Sequence, residues 1–290
     1  MNAETQYLEI LRDLVNSDAK QENRTGVDTY KIPPRMIQHD MSEGFPLLTT
    51  KRVAWKTMKV ELEGFIKGIT SKKWYEDRSC FIWSDWCNPQ KVEYGNDEET
   101  KAKMKAEDDL GFIYGYQWRN FTDPNEVTGE GLSGGVDQLA SIIYTLKNKP
   151  TDRRMICLAW NPLALDYQAL PACHVLFRVG VTNGKLDLTW YQRSVDTFLG
   201  LSFNLASYAL LLHLIAKETG FEEGILTGFL DDLHLYENHI DQAKEQLSRE
   251  PYELPYIETE NFKSIFEWEH DDTLLFDYKC HPSIKAPVAV

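Results

Sequence analysis

The stretch from His174 to Arg193 constrains the fold more than any other part of the chain. Two strand-like runs, HVLFRVGV and KLDLTWYQR, flank Asn183-Gly184. Asn-Gly accepts positive φ at both central positions of a two-residue turn, so the segment reads as a β-hairpin. RMICLAW at 154–160 supplies a further strand, and one antiparallel sheet is expected here. The next segment, FNLASYALLLHLIAK at 203–217, is apolar nearly all round and ends near Gly220. A helix of that kind is buried inside a protein rather than laid on its surface. Helices around a mixed or antiparallel sheet define the α+β class.

Other helices follow from their period. Leu8, Leu11, Leu14 and Val15 give an amphipathic helix from Glu4 to Val15, behind an Asn2 or Thr5 cap. Met58, Leu62, Phe65 and Ile66 repeat the pattern over 57–66 and place Glu61 on a helix beside the core; Gln138 to Leu146 is helical too. The charged run 87–108 reads as a partly helical surface insertion, and Thr122 to Gly135 as a loop. The tail KCHPSIKAPVAV has no period, so its conformation depends on what it docks against. With 290 residues and no linker or repeat, a single domain over 1–290 is expected.

A net charge of −14, from 31 basic and 45 acidic residues, excludes wrapping of nucleic acid, which needs many phosphate-neutralising cations. A small phosphate is still allowed, because a few convergent arginines outweigh a screened distant field. The five cysteines are odd in number and form no CxxC pair, so reduced thiols and no metal site are expected. No leader is evident at the N-terminus, and no stretch reads as the ~20 apolar residues of a membrane span; a soluble, cytoplasmic protein is expected.

Several residues carry chemistry, each with a plainer alternative. Cys173 in LPACHVLF is, by itself, most simply a core thiol. His174 beside it, with Arg153, Arg154 and Arg193 elsewhere, supplies cations that would stabilise a nucleophilic thiolate. The arginines, with Arg24, suit a phosphate, or else pair with surface acids. Asn204 is either the N-cap of its helix or a carboxamide reading the N3–H and O4 edge of uracil. His234 and Tyr236, two apart, share a face if extended and would both donate to a sugar hydroxyl; the alternative is an ordinary loop.

In combination these motifs are far more specific. DRR at 152–154, PACH at 171–174, YQRSVDTFLG at 191–200, FNLASYALL at 203–211, HLYENH at 234–239 and KAPVAV at the end resemble the thymidylate synthase family. So do NRTG at 23–26, GFPLLTTKR at 44–52, IWSDW at 82–86 and DLGFIYGYQWR at 109–119. The resemblance implies a three-layer α/β/α fold, with a mixed, largely antiparallel sheet at a homodimer interface and helices around it. It implies dUMP and a reduced folate, 5,10-methylenetetrahydrofolate, as substrates. Cys173 would be the nucleophile and Glu61 a proton relay, with Tyr114, His174, Asn204 and Arg193 also catalytic. Arg24, Arg193 and Ser194 would hold the phosphate, joined by Arg153 and Arg154 of the other subunit, while His234 and Tyr236 would take the 3′-hydroxyl. Asp196, Trp83, Leu199, Gly200, Phe203 and Lys51 would bind the folate, and Val290 would close over it.

Four positions depart from the family pattern: Ala172 and Ser202 stand where Pro is usual, Gly64 where Trp is usual, and Asp231 where Gly is usual. They bear on the product, since an opened wall admits water and would turn methylation of dUMP into hydroxymethylation. His174, the KAPVAV tail and Asn204 favour methylation of a uracil. A non-catalytic nucleotide sensor or RNA-binding regulator is the rival from another class; the acidic balance and the presence together of Cys173, Glu61, Tyr114 and Asn204 oppose it.

Overall fold

The computed structural model describes residues 2–23, 25–124 and 134–288. In chain order the helices are α1 Ala3–Val15, α2 Trp55–Lys67, α3 Lys72–Glu76, α4 Glu98–Ala106, α5 Tyr114–Arg119, α6 Gln138–Asn148, α7 Gly200–Thr219 and α8 Ile240–Leu247. The strands are β1 Lys20–Gln21, β2 Thr29–Ile32, β3 Arg35–Asp40, β4 Ile156–Leu158, β5 His174–Thr182, β6 Lys185–Gln192, β7 Val195–Asp196, β8 Glu222–Leu230, β9 Leu233–Tyr236, β10 Tyr256–Thr259 and β11 Thr273–Phe276. The class is α+β, with mixed, largely antiparallel sheets. Packing divides the chain into two compact units.

The first unit comprises Met1–Ala54, Val181–Asn261 and Asp271–Val290. Here α1 starts at an Asn2 cap, whose side chain accepts the Thr5 N–H at 3.0 Å, and buries Leu8, Leu11 and Leu14. Its buried Glu4 carboxylate accepts main-chain and hydroxyl bonds from Thr49 and Thr50 at 2.8–2.9 Å, which fixes the chain just before Lys51. The Asn183-Gly184 turn has φ of 52° and 81°, the doubly positive geometry its sequence predicts. Beyond it, β6 pairs with β8 in parallel, and β8 pairs antiparallel with β3.

That parallel pair lies beyond the runs read as antiparallel from sequence and makes the sheet a mixed one, as the fold class expects. The 20-residue α7 carries the chain back across the sheet between β6 and β8, and a helical crossover is what makes parallel pairing available. Where the two strands meet, a Cβ on Gly228 would lie 2.4 Å from the Trp190 ring, so only glycine leaves room for that indole. A second sheet has the order β1, β2, β9, β7, and β10 pairs with β11. Among the described residues α7 is the one helix long and apolar enough to cross a membrane, contrary to the sequence reading. With 67% of its span buried, it has the character of a core helix. Gly220, at φ 76°, ends it.

The second unit comprises Trp55–Gly180 and Phe262–His270. Met58, Leu62, Phe65 and Ile66 of α2 are buried, and α2 packs on α3 and α5. Asp137 caps α6 by accepting the Ala140 N–H and also pairs with Arg119, whose guanidinium donates to the Ile66 carbonyl. Within the charged run 87–108, α4 forms behind an Asp97 cap. The buried Lys72 ammonium donates to the Met104 and Trp86 carbonyls at 2.8 and 3.0 Å, and the Tyr94 hydroxyl lies 2.6 Å from the carbonyls of Cys87 and Ala169. In the expected loop at 122–135, residues 125–133 lie outside the described residues.

Candidate active site

The residues singled out by sequence occur in both units, and each group has its own geometry. In the second unit, Cys173 stands immediately before β5. Its N–H donates to the Tyr114 hydroxyl at 2.7 Å. The Tyr114 ring stacks on His174 with centroids 4.0 Å apart, and Phe65 meets both rings, at 4.9 and 6.2 Å. Trp83 closes this aromatic group, 6.3 Å from Tyr114. Cys80, Cys87 and Cys157 are buried, whereas Cys173 is partly exposed at the edge of the group. Burial pushes the Cys80 thiol up to about 12 and Cys157 well above its ordinary range, which leaves both inert.

His174 corrects one expectation. Burial pushes its pKa down to about 3, so the ring is neutral and lends no positive charge to Cys173. Sequence adjacency misleads here because His174, the first residue of β5, is buried, whereas Cys173 just before the strand is partly exposed. Glu61, on the buried side of α2, behaves in the opposite sense: burial pushes its carboxyl up to about 8. The Trp83 indole N–H lies near enough to offset a little of that rise, without meeting hydrogen-bonding geometry. A protonated carboxyl at neutral pH is what a proton relay requires. Arg153 and Arg154 are exposed, and Asp152 engages the Arg154 guanidinium at 2.6 Å.

In the first unit, Asn204 lies inside the first turns of α7, which begins at Gly200, so it is not the helix cap. Its Oδ1 accepts from Gln192, whose amide also donates to the Ser194 carbonyl, both at 3.1 Å. With one Oδ1 lone pair committed, the Asn204 amide retains its NH₂ and the other lone pair, the donor–acceptor pair a uracil edge needs. Gln192 was missed by the sequence reading; its signal was a polar residue at an inward position of β6. Arg193 and Ser194 follow at the strand end, both partly exposed.

Asp196 accepts the Phe198 and Leu199 N–H groups at 3.0 Å and so shapes the entry into α7. Leu199, Gly200 and Phe203 are partly exposed there, although the helix beyond them is buried. A carboxylate beside an exposed apolar edge fits a flat heterocycle with N–H donors. Lys51 is turned inward, its ammonium on the Phe198 carbonyl and over the Phe198 ring, and burial pushes it down to about 8. His234 Nδ1 lies 2.8 Å from the Asp232 carbonyl. A carbonyl only accepts, so Nδ1 donates there and Nε2 is the ring nitrogen left for a ligand. The His234 and Tyr236 rings meet edge to face at 5.3 Å, side by side at the end of β9. Arg24 and Val290 lie outside the described residues.

The unusual positions have local explanations. The Ala172 N–H donates to Gln168 at 3.3 Å, a bond proline cannot make. Asp231 accepts from the Tyr191 hydroxyl at 2.8 Å. Gly64 lies against Tyr75: a Cβ there would be 2.3 Å from the tyrosine ring. Ser202 is buried in the first turn of α7, and nothing in the structure explains its replacing a proline. The family model described as thymidylate synthase matches residues 5–290 of the chain.

Proposed function

The chain belongs to the thymidylate synthase family, and from that premise we propose that it converts dUMP to dTMP by reductive methylation, with 5,10-methylenetetrahydrofolate as the co-substrate. Transferase chemistry on dUMP with a reduced folate is the family's activity; methyl as the product, and the roles below, are the reading advanced here. The folate supplies a one-carbon unit and then a hydride. The observation that carries the reading is the partly exposed Cys173, its main chain held by Tyr114 in the aromatic group where Glu61 is kept protonated.

The Cys173 thiolate adds to uracil C6, which pushes electron density onto C5 and O4. Asn204 reads N3–H and O4, and Glu61 donates and recovers the proton at O4 as charge develops there. C5 then takes up the one-carbon unit, and its proton leaves through Tyr114 and water. The neutral His174 ring, stacked on Tyr114, holds the wall dry. Arg193, Ser194 and Arg24 grip the phosphate, with the exposed Arg153 and Arg154 contributed to the second protomer of a homodimer. His234 and Tyr236 hold the 3′-hydroxyl. Asp196 meets the pterin against Leu199, Gly200, Phe203 and Trp83, while Val290 closes the site. Lys51 meets the glutamyl tail after its side chain swings outward.

The rival product is 5-hydroxymethyl-dUMP, formed when water instead of hydride meets the methylene on C5. Incubation with dUMP and methylenetetrahydrofolate separates the two: dTMP with dihydrofolate supports the reading, and 5-hydroxymethyl-dUMP with tetrahydrofolate refutes it.

A further inference from the structure

Glu61 and Gly64 lie three residues apart on α2, hence on one side of the helix. Where a side chain at 64 would begin, the ring of Tyr75 already stands: a Cβ on Gly64 would meet its Cε1 and Oη at 2.3 Å and its Cζ at 2.4 Å. Tyr75 is fully buried. Its hydroxyl donates to the Ile69 carbonyl at 3.2 Å, and its ring meets Trp74 edge to face at 5.1 Å. A tryptophan at 64 and Tyr75 as it stands here therefore exclude each other, and in this chain the space beside Gly64 is filled from α3. Burial above all, with the nearby acidic groups of Glu61, Cys80 and Glu63, raises the hydroxyl well above its ordinary range, so it stays neutral.

We infer that Tyr75 closes the wall beside Glu61 against water and thereby decides the product, an inference that rests on the methylation reading above. The methylene on C5 is an electrophile with two takers. Hydride from the reduced folate forms a C–H bond, releases Cys173 and leaves dihydrofolate. Water forms a C–O bond, gives up one proton to a base, releases Cys173 and leaves tetrahydrofolate. Without the Tyr75 side chain, the vacated volume would open against Gly64, on the side of α2 that carries Glu61, with the Ile69 carbonyl left without its hydroxyl donor. A space of that size with polar partners fills with water rather than staying empty. Glu61, once its own proton has passed to O4, would then be an ionised base able to take the proton that this water gives up.

The test is the ratio of 5-hydroxymethyl-dUMP to dTMP made from dUMP and methylenetetrahydrofolate by wild type, Tyr75→Ala, Tyr75→Leu and the pair Gly64→Trp with Tyr75→Leu. The expected result is a ratio raised about tenfold or more by Tyr75→Ala, raised less by Tyr75→Leu, and returned toward wild type by the pair. A loss of overall packing alone would lower both products together and leave the ratio still. Folded single variants with the wild-type ratio overturn the inference while leaving the methylation reading intact. A wild type that itself makes mainly the hydroxymethyl product overturns both. Should Tyr75→Ala fail to fold, Tyr75→Leu decides in the same terms.

Discussion

Replacing Glu61 by Gln separates what its buried carboxyl does for catalysis from its effect on stability. Burial moves the carboxyl from 4.5 to about 8, while the unfolded chain keeps the ordinary value. At ~1.4 kcal/mol per pKa unit, that displacement corresponds to ~5 kcal/mol. The folded state holds the proton more tightly than the unfolded state, so stability is full below pH 4.5, declines as pH rises and reaches its floor just above pH 8. At pH 7 the cost is already ~3 kcal/mol. The neutral, isosteric Gln pays none of it. Unfolding entropy of ~2.1 cal/mol/K per residue makes 1 kcal/mol worth ~1.6 °C in a 290-residue chain. Glu61→Gln should therefore match wild type near pH 4 and melt ~5 °C higher at pH 7 and ~8 °C higher at pH 9, while turnover falls about 10²–10⁴-fold. Differential scanning calorimetry across pH 4–9, with turnover measured on the same samples, provides the comparison. Parallel melting curves for the two proteins over that range would refute the burial argument.

Cys173→Ala should abolish turnover and keep dUMP binding within a few-fold by calorimetric titration; residual activity above about 1% of wild type would end its role as nucleophile. Gln192→Ala should loosen the Asn204 amide and lower the ratio of kcat/KM for dUMP over dCMP by about tenfold, a loss of ~1.4 kcal/mol in discrimination. An unchanged ratio would show that Gln192 does not orient Asn204. Lys72→Met should strand the Met104 and Trp86 carbonyls, destabilise the protein by ~1–3 kcal/mol and speed amide exchange across α4 with the kinetic constants for dUMP unmoved.

Local chemistry is the part of this molecule that sequence discloses well. Leu8, Leu11 and Leu14, the Met58–Ile66 pattern and Asn183-Gly184 each specify their own conformation, and each element stands where its pattern puts it. The parallel partner of β6 did not disclose itself, because Glu222–Leu230 has no feature that distinguishes parallel from antiparallel pairing until α7 is known to carry the chain across. Burial was the other hidden variable. It makes His174 neutral although it was expected to lend Cys173 a positive charge, and it encloses the Lys51 ammonium that was expected to meet the folate. Asn204 resembled a cap only because the apolar run starts at Phe203, while the helix begins at Gly200.

The anchoring of residues 87–108 has a practical corollary. Lys72 and Tyr94 grip the segment through main-chain carbonyls, atoms that every amino acid provides. Side chains on the outer surface of α4, such as Lys101 and Lys105, are therefore replaceable at little cost. A fluorophore or affinity tag could be installed there to report on a working enzyme without touching its chemistry.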